Sequence, residues 1–502
     1  MKDPQPAHTY WLTRFMILRL LGFVYFFAFL SLATQFAPLL GEDGLTPVSQ
    51  FLMRVSVANG SIARCFFELP SLFWFFNSDG LMTTLAWVGA GLSLVVLAGY
   101  ANGALLLALW GLYMSFVHVG QDWYGFGWEI QLLETGFLAV FLVPFLDGRP
   151  FPRTAPPTLV VWLFRWLIIR VMLGAGLIKL RGDECWRDLT CLKYHYETQP
   201  IPNPLSPYFH FMPLWFHKAG VLYNYLAELA SPFLVPFGRR LCALAGLCML
   251  ILQVILILSG NLSFLNYLTI VPILSCFDDS FWAKVLPRAL VERARRAREE
   301  AVASKPQLVA SWVLTAVVGV LSIGPVANLL SPQQAMNTSF EPFNLVNTYG
   351  AFGSVGRERL QLVIEGTTDK KLSEKTVWTP YEFKAQPEDL KRPPVICAPY
   401  QPRLDWQIWF AAMSDPSQYP WVFHLVWKLL RNDPVTLGLF AGNPFPAGPP
   451  HYIRFRLFRY NFAPLSHPGG FWWERTELGL WLPPLSADDP RLLRILRAYG
   501  WQ

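Results

Sequence analysis

Apolar runs of membrane-spanning length recur along most of this 502-residue chain, and nothing else constrains its fold as tightly. A bilayer asks for about 17 to 25 predominantly apolar residues per helix. Runs of that order occupy 15–35, 81–99, 103–119, 128–146, 158–179, 221–237, 241–259, 262–277 and 308–330. They predict an α-helical multi-pass membrane domain over residues 1–330 with about nine transmembrane helices. Composition agrees: 53% of residues are hydrophobic, 16% aromatic and only 15% charged, where soluble proteins carry roughly 25% charged residues. The net charge of +7 does not point to nucleic acid, because the basic residues sit in short loops and not on a polar domain. The first run is too long for a signal-peptide core, Arg14 and Arg19 flank or enter it, and no small-residue cleavage site follows. It is expected to stay as an anchor.

Loop charges orient the spans. With a cytosolic N-terminus, the inward loops hold Lys2, Arg14, Arg149, Arg153, Arg239, Arg240 and the cluster Lys284, Arg288, Arg293, Arg295, Arg296, Arg298 and Lys305, as the positive-inside rule requires. Loops 36–80 and 180–220 then face outward, and the last span delivers residues 331–502 to the extracytosolic side. In that C-terminal stretch apolar residues are interleaved with charges and prolines. Arg359 to Glu365 and Ile453 to Tyr460 alternate at period two, which predicts half-buried strands. Trp406 to Met413 and Trp421 to Leu430 read as short helices bearing Trp406, Trp409, Trp421 and Trp427, either packed on a small sheet or lying on the membrane surface. The expectation is a smaller, β-rich α+β domain.

Chemistry is densest between Leu177 and Pro213, where Lys179, Arg181, Asp183, Trp186, Arg187, Asp188, His195, Tyr196, Glu197 and Asn203 crowd a loop longer than a connection needs. Of seven cysteines, Cys242, Cys248 and Cys276 fall in spans, whereas Cys65, Cys185, Cys191 and Cys397 fall outward. The Cys185 and Cys191 spacing allows a local disulfide but is not the CxxC of an oxidoreductase or zinc ribbon. Glu134, Arg165, Arg170 and Glu228 lie inside apolar runs, where an ionisable group is expensive. Glu134 pairing with Arg165 or Arg170 is one reading, and a substrate or proton path is the other. His118 ends the third run. Searches for HExxH, GxxxxGK[ST], a strand-to-helix GxGxxG and GxSxG find none, so no metal site or cofactor is expected. GAFGSVGRER from Gly350 reads as a glycine turn leading into the strand at Arg359. Sequons at Asn59, Asn261 and Asn337 are about as many as chance supplies.

Four separated blocks carry a family resemblance: YGFGWEIQLLETGFLAVFLVP from Tyr124, GDECWRDLTCLKYHYETQPIPNP from Gly182, FNLVNTYGAFGSV from Phe343 and APYQPRLDWQIWFAAM from Ala398. In this order they resemble the lipase maturation factor family. The resemblance implies a multi-pass protein that helps secreted lipases, or other exported proteins, reach an active assembled state among membrane lipids. Its eukaryotic members sit in the endoplasmic reticulum membrane; a bacterial source would place the chain in the inner membrane. It carries over no catalytic set; with that maturation role, Arg181, Asp183, Trp186, Arg187, Asp188, His195, Tyr196, Glu197 and Asn203 are expected to form a client-binding or functional loop that works with the C-terminal domain. A second likeness is local. GAGLIKL from Gly174 with GDECW is similar to a segment of vitamin K-dependent gamma-carboxylases and related HTTM-type membrane domains. On that alternative Lys179 is a base near His195 or Glu197 in an enzyme modifying a lipid, quinone or secreted polypeptide; otherwise Lys179 is a snorkelling anchor.

Overall fold

The computed structural model describes residues 9–467 and 469–501; Lys2 lies outside them. Each apolar run is helical. The helices are α1 Trp11–Leu40, α2 Asp79–Ala98, α3 Gly103–Val119, α4 Gly127–Leu142, α5 Thr158–Arg181, α6 Leu214–Tyr225, α7 Gly238–Ser259, α8 Leu265–Ile273, α9 Lys305–Leu321 and α10 Ile323–Leu330. Among the described residues, α1, α2, α5, α7 and the continuous Lys305–Leu330 stretch are long and apolar enough to cross a membrane, while α3 and Leu265–Cys276 are shorter apolar helices. The run expected at 221–237 is not one uniform helix: α6 passes into a π-turn, Leu226–Ala230, and then a short turn, Ser231–Leu234. Most of α1, including Tyr25, Phe29 and Leu32, is buried. At Gly22 a Cβ would lie 2.6 Å from the backbone nitrogen of Leu97, so only glycine lets α2 come this close.

The loops segregate to two ends of this bundle. At one end Trp11 and Leu12 donate their backbone N–H groups to Asp279 (3.1 and 2.7 Å), Arg14 donates to the Thr154 carbonyl (2.8 Å) and Arg153 pairs with Glu300 (3.0 Å). The basic helix Arg288–Glu299 lies in the same set of loops. All of these belong to the loops expected to face inward. At the other end the expected outward loops meet the C-terminal residues: His424 bonds the Leu45 carbonyl (2.9 Å), and Asn261 donates to Val395 (2.7 Å).

The C-terminal part is an antiparallel four-stranded sheet in the order β2-β1-β3-β4, with β1 Arg359–Thr367, β2 Thr379–Pro380, β3 Tyr452–Phe462 and β4 Trp473–Leu485. The two strands read from the period-two pattern pair with each other over their whole length, Arg359 opposite Tyr460 and Thr367 opposite Tyr452. Helix α11 Arg403–Ala412 packs on β1, and α12 Trp421–Leu429 packs with α13 Pro490–Tyr499. Trp406 and Trp421 are buried, their rings 5.1 Å from those of Trp128 and Trp123. These helices are therefore core elements wedged between the sheet and the bundle, not surface-lying ones.

Candidate functional site

The conspicuous loop after α5 folds into three short helices, Glu184–Arg187, Leu192–Thr198 and Ser206–His210. Asp183 caps the first, accepting from the Cys185 amide at 3.1 Å, which is why a turn starts there. A disulfide joins Cys185 to Cys191 with Cα atoms 4.8 Å apart. From this pinned core the side chains run inward. Trp186, 2% exposed, donates its indole N–H to the Phe352 carbonyl (2.8 Å), and the Asp183 amide donates to Gly353 (2.9 Å). The close approach is built on glycine: a Cβ at Gly182 would sit 2.1 Å from the Gly353 oxygen, and one at Gly174 would sit 2.2 Å from the Tyr349 oxygen. Residues 349–353 thus lie directly on the backbone of α5.

Glu197 faces the sheet. Its carboxylate accepts from the Phe462 amide (2.7 Å) and Asn461 Nδ2 (3.1 Å), binding the loop to β3. Burial pushes this carboxyl upward, and the Phe462 amide offsets part of that rise. Arg359, at the start of β1, answers from the other side by donating to the carbonyls of Glu197 (3.1 Å), Gln199 (2.6 Å) and Pro200 (3.1 Å). Asn203 organises the last short helix, its Oδ1 accepting from the Leu205 and Ser206 amides (2.9 and 3.0 Å). His195 and Tyr196 are buried; burial, helped by the Lys179 charge, pulls the His195 imidazole down to about 4.

Five of the nine residues of the expected client-binding or functional loop thus lie in the interior. Trp186, His195, Tyr196, Glu197 and Asn203 are interior residues that knit loop to sheet, because an otherwise apolar junction needs its polar backbone satisfied. Arg181 also points inward, to Gln334 (2.7 Å) and the Leu329 carbonyl (2.9 Å). Of the loop residues singled out in the sequence, Arg187 and Asp188 are exposed.

Below this junction three ion pairs lie inside the bundle. Glu134 pairs with Arg170, not Arg165, while its second oxygen accepts from the Asn347 amide (3.0 Å) and Tyr349 hydroxyl (2.7 Å). Five positions apart on one helix, Arg165 and Arg170 point about 140° away from each other; Arg165 reaches instead to the Ser275 carbonyl (3.0 Å) and the Tyr10 hydroxyl (3.1 Å). Lys179 is held by both oxygens of Glu228 (2.5 and 2.7 Å), which also accepts from Asn224 (2.8 Å). Glu228 is presented by the π-turn, a local widening that recurs at specialised positions. This lysine is neither a snorkelling anchor nor an unengaged base. The third pair, Glu129 with Arg403 at 3.0 Å, was not anticipated. Glu129 opens an apolar run and so carried a signal; Arg403 is 274 positions away and carried none. Asn347, Tyr349 and Arg359 were missed for the same reason. Among the described residues no group of three or more His, Cys, Asp or Glu is placed to hold a metal ion.

Family comparison divides the chain at the same junction. Residues 12–284 match the lipase maturation factor transmembrane domain and residues 345–483 match the lipase maturation factor C-terminal domain. The chain is 46% identical to Lipase maturation factor 1 of Bos taurus, covering 97% of this chain and 91% of that protein. It is 43% identical to the Homo sapiens protein of the same name, with 99% and 92% covered. Lipase maturation factor 2 of Homo sapiens is 30% identical, with 98% and 85% covered. No solved structure matches the chain significantly.

Proposed function

The chain belongs to the lipase maturation factor family, and from that premise we propose how its architecture serves lipases. It is a membrane-embedded maturation factor for lipases, and the gamma-carboxylase-like enzyme reading is unsupported. These relatives are vertebrate proteins. On our reading the chain resides in the endoplasmic reticulum membrane with about nine membrane passages, its N-terminus cytosolic and its C-terminal domain, residues 331–502, in the lumen where secreted lipases fold. Two things support this orientation: the basic loops gather at one bundle end, and the sheet docks at the other.

The observation that carries the mechanism is the interlocking of that second end. Arg403 descends from α11 to Glu129, Asn347 and Tyr349 descend to Glu134, and Glu197 rises to β3. The C-terminal domain is thereby held as one body with the bundle, a fixed platform and not a tethered arm. Arg187 and Asp188 are exposed on the loop after α5, and the second expected outward loop, 36–80, presents Phe67, Phe75 and Phe76, each more than half exposed; together we call these the rim of the platform. Exposed apolar side chains suit a partly folded client whose own apolar surface is not yet paired. We assign this rim to lipase docking.

The test is to delete the gene for this chain, restore it, and measure lipase specific activity per secreted molecule. Activity per molecule falls on deletion and returns on restoration, while lipase synthesis holds. Unchanged activity per molecule would reject the reading.

A further inference from the structure

At the bundle end opposite the sheet, a cavity of about 580 Å³ opens between the start of α5, the start of α7 and the 278–284 loop. Its lining carries Arg165, Arg239, Arg240 and Lys284 against a single carboxylate, Asp278, which pairs with Arg239 at 2.6 Å. Arg165, Arg240 and Lys284 have no carboxylate partner among the described residues. Arg165 is buried; its Nε and one Nη are engaged by Ser275 and Tyr10, and the other Nη makes no hydrogen bond among the described residues.

The backbone adds to the same field. Thr158 and Gly238, the first residues of α5 and α7, both line the cavity, and neither helix has a side-chain cap. An α-helix N-terminus presents unpaired N–H groups and about half a positive charge. Two such ends converging with excess basic side chains make a strong anion site. Much of the rest of the lining is apolar, Trp162, Val235, Ala243 and Phe281 among it. A soluble phosphate has no use for that surface. A lipid has, because its headgroup meets the cations while its glycerol and upper chains meet the rings.

We propose that this cavity is a binding site for the headgroup of an anionic phospholipid, taken from the leaflet at the bundle end away from the C-terminal domain. The site lies where spanning helices end. Basic pockets between membrane helices on the cytosolic side suit such headgroups, each Lys or Arg contributing on the order of 1 kcal/mol. The inference goes beyond the lipase reading and does not depend on it.

The test uses the full chain purified in uncharged detergent and titrated, with thermal unfolding or native mass spectrometry as readout, against dioctanoyl phosphatidylglycerol, dioctanoyl phosphatidylcholine and inorganic phosphate. The anionic lipid should bind at least about tenfold more tightly than the zwitterionic one. The double variant Arg240→Ala with Lys284→Ala, both at exposed positions, should weaken the anionic lipid by about 30-fold and leave phosphatidylcholine unchanged. Arg64→Ala, an exposed arginine outside this cavity, should change neither. Equal binding of the two lipids, or an unaltered double variant, overturns the proposal. Inorganic phosphate stabilising as strongly as the anionic lipid would make this a soluble-anion site and overturn it as well.

Discussion

The two ends of the bundle handle charge in opposite ways. At the sheet end three carboxylates buried in the bundle are answered by cations of the same chain: Arg403 for Glu129, Arg170 with Asn347 and Tyr349 for Glu134, Lys179 for Glu228. At the other end cations outnumber carboxylates around an open cavity. One end is closed by protein, and at the other the described residues leave a basic cavity open. A buried ion pair contributes little net stability compared with apolar packing, but removing one partner strands a charge. That asymmetry makes the sheet end an all-or-none assembly, whereas exposed cations at the other end tolerate substitution.

The comparison is easiest to break at Arg403. Arg403→Ala leaves Glu129 buried and unpaired, and should destabilise the chain by about 3–5 kcal/mol, read as a fall in unfolding temperature and loss of folded protein. The double change Arg403→Leu with Glu129→Leu should recover most of it. If the single variant is as stable as the parent, the pair does not hold the domain.

Acid comes next. His195 and His424, both at the sheet end, are held down to about 4 by burial. Their folded values lie below the unfolded value of about 6.5, so the unfolded chain takes up protons first as pH drops. Stability present above about pH 6.5 is lost towards pH 4, at roughly 1.4 kcal/mol per pH unit for each histidine. Hydrogen exchange should show the sheet end loosening before the basic end, and His195→Gln with His424→Gln should flatten the profile.

The disulfide is a smaller effect. Opening it by Cys185→Ser with Cys191→Ser frees a short loop and should cost about 2 kcal/mol, with proteolysis appearing first in residues 184–198. Smallest for stability, and most informative for function, is the charge reversal Arg187→Glu with Asp188→Lys. These exposed positions should change stability by no more than about 0.5 kcal/mol, yet lower lipase activity per secreted molecule if the rim receives clients. Intact lipase activity would move the docking surface elsewhere.

What the sequence disclosed follows the range of each signal. Spanning runs and period-two strands are local patterns, so α1 to α5 and the β1–β3 pair were legible close to their true bounds. Strand β4 was not, because Gly479 and consecutive prolines interrupt its alternation and its register shifts along β3. Helix α13 hid behind its many arginines. The polar block after α5 was marked as dense in chemistry, but which of its side chains turn inward was not legible: much of its polarity satisfies an interior junction, while Arg187 and Asp188 stay exposed. No local pattern could reveal this, since Glu197 meets Phe462 265 positions away. Glu134 was recognised as needing a cation, and only helix geometry decided between Arg165 and Arg170.

The central claim is that the end closed by the C-terminal domain is the end that lipases meet. It is tested most directly by adding an N-glycosylation sequon at Ala447, in the exposed loop before β3, and separately at Arg295 in the basic helix, with the native sequons removed. The account predicts an endoglycosidase-sensitive mass increase for the Ala447 insertion and none for Arg295. Glycosylation at Arg295 with none at Ala447 would put the sheet in the cytosol, out of reach of any secreted lipase, and would contradict it.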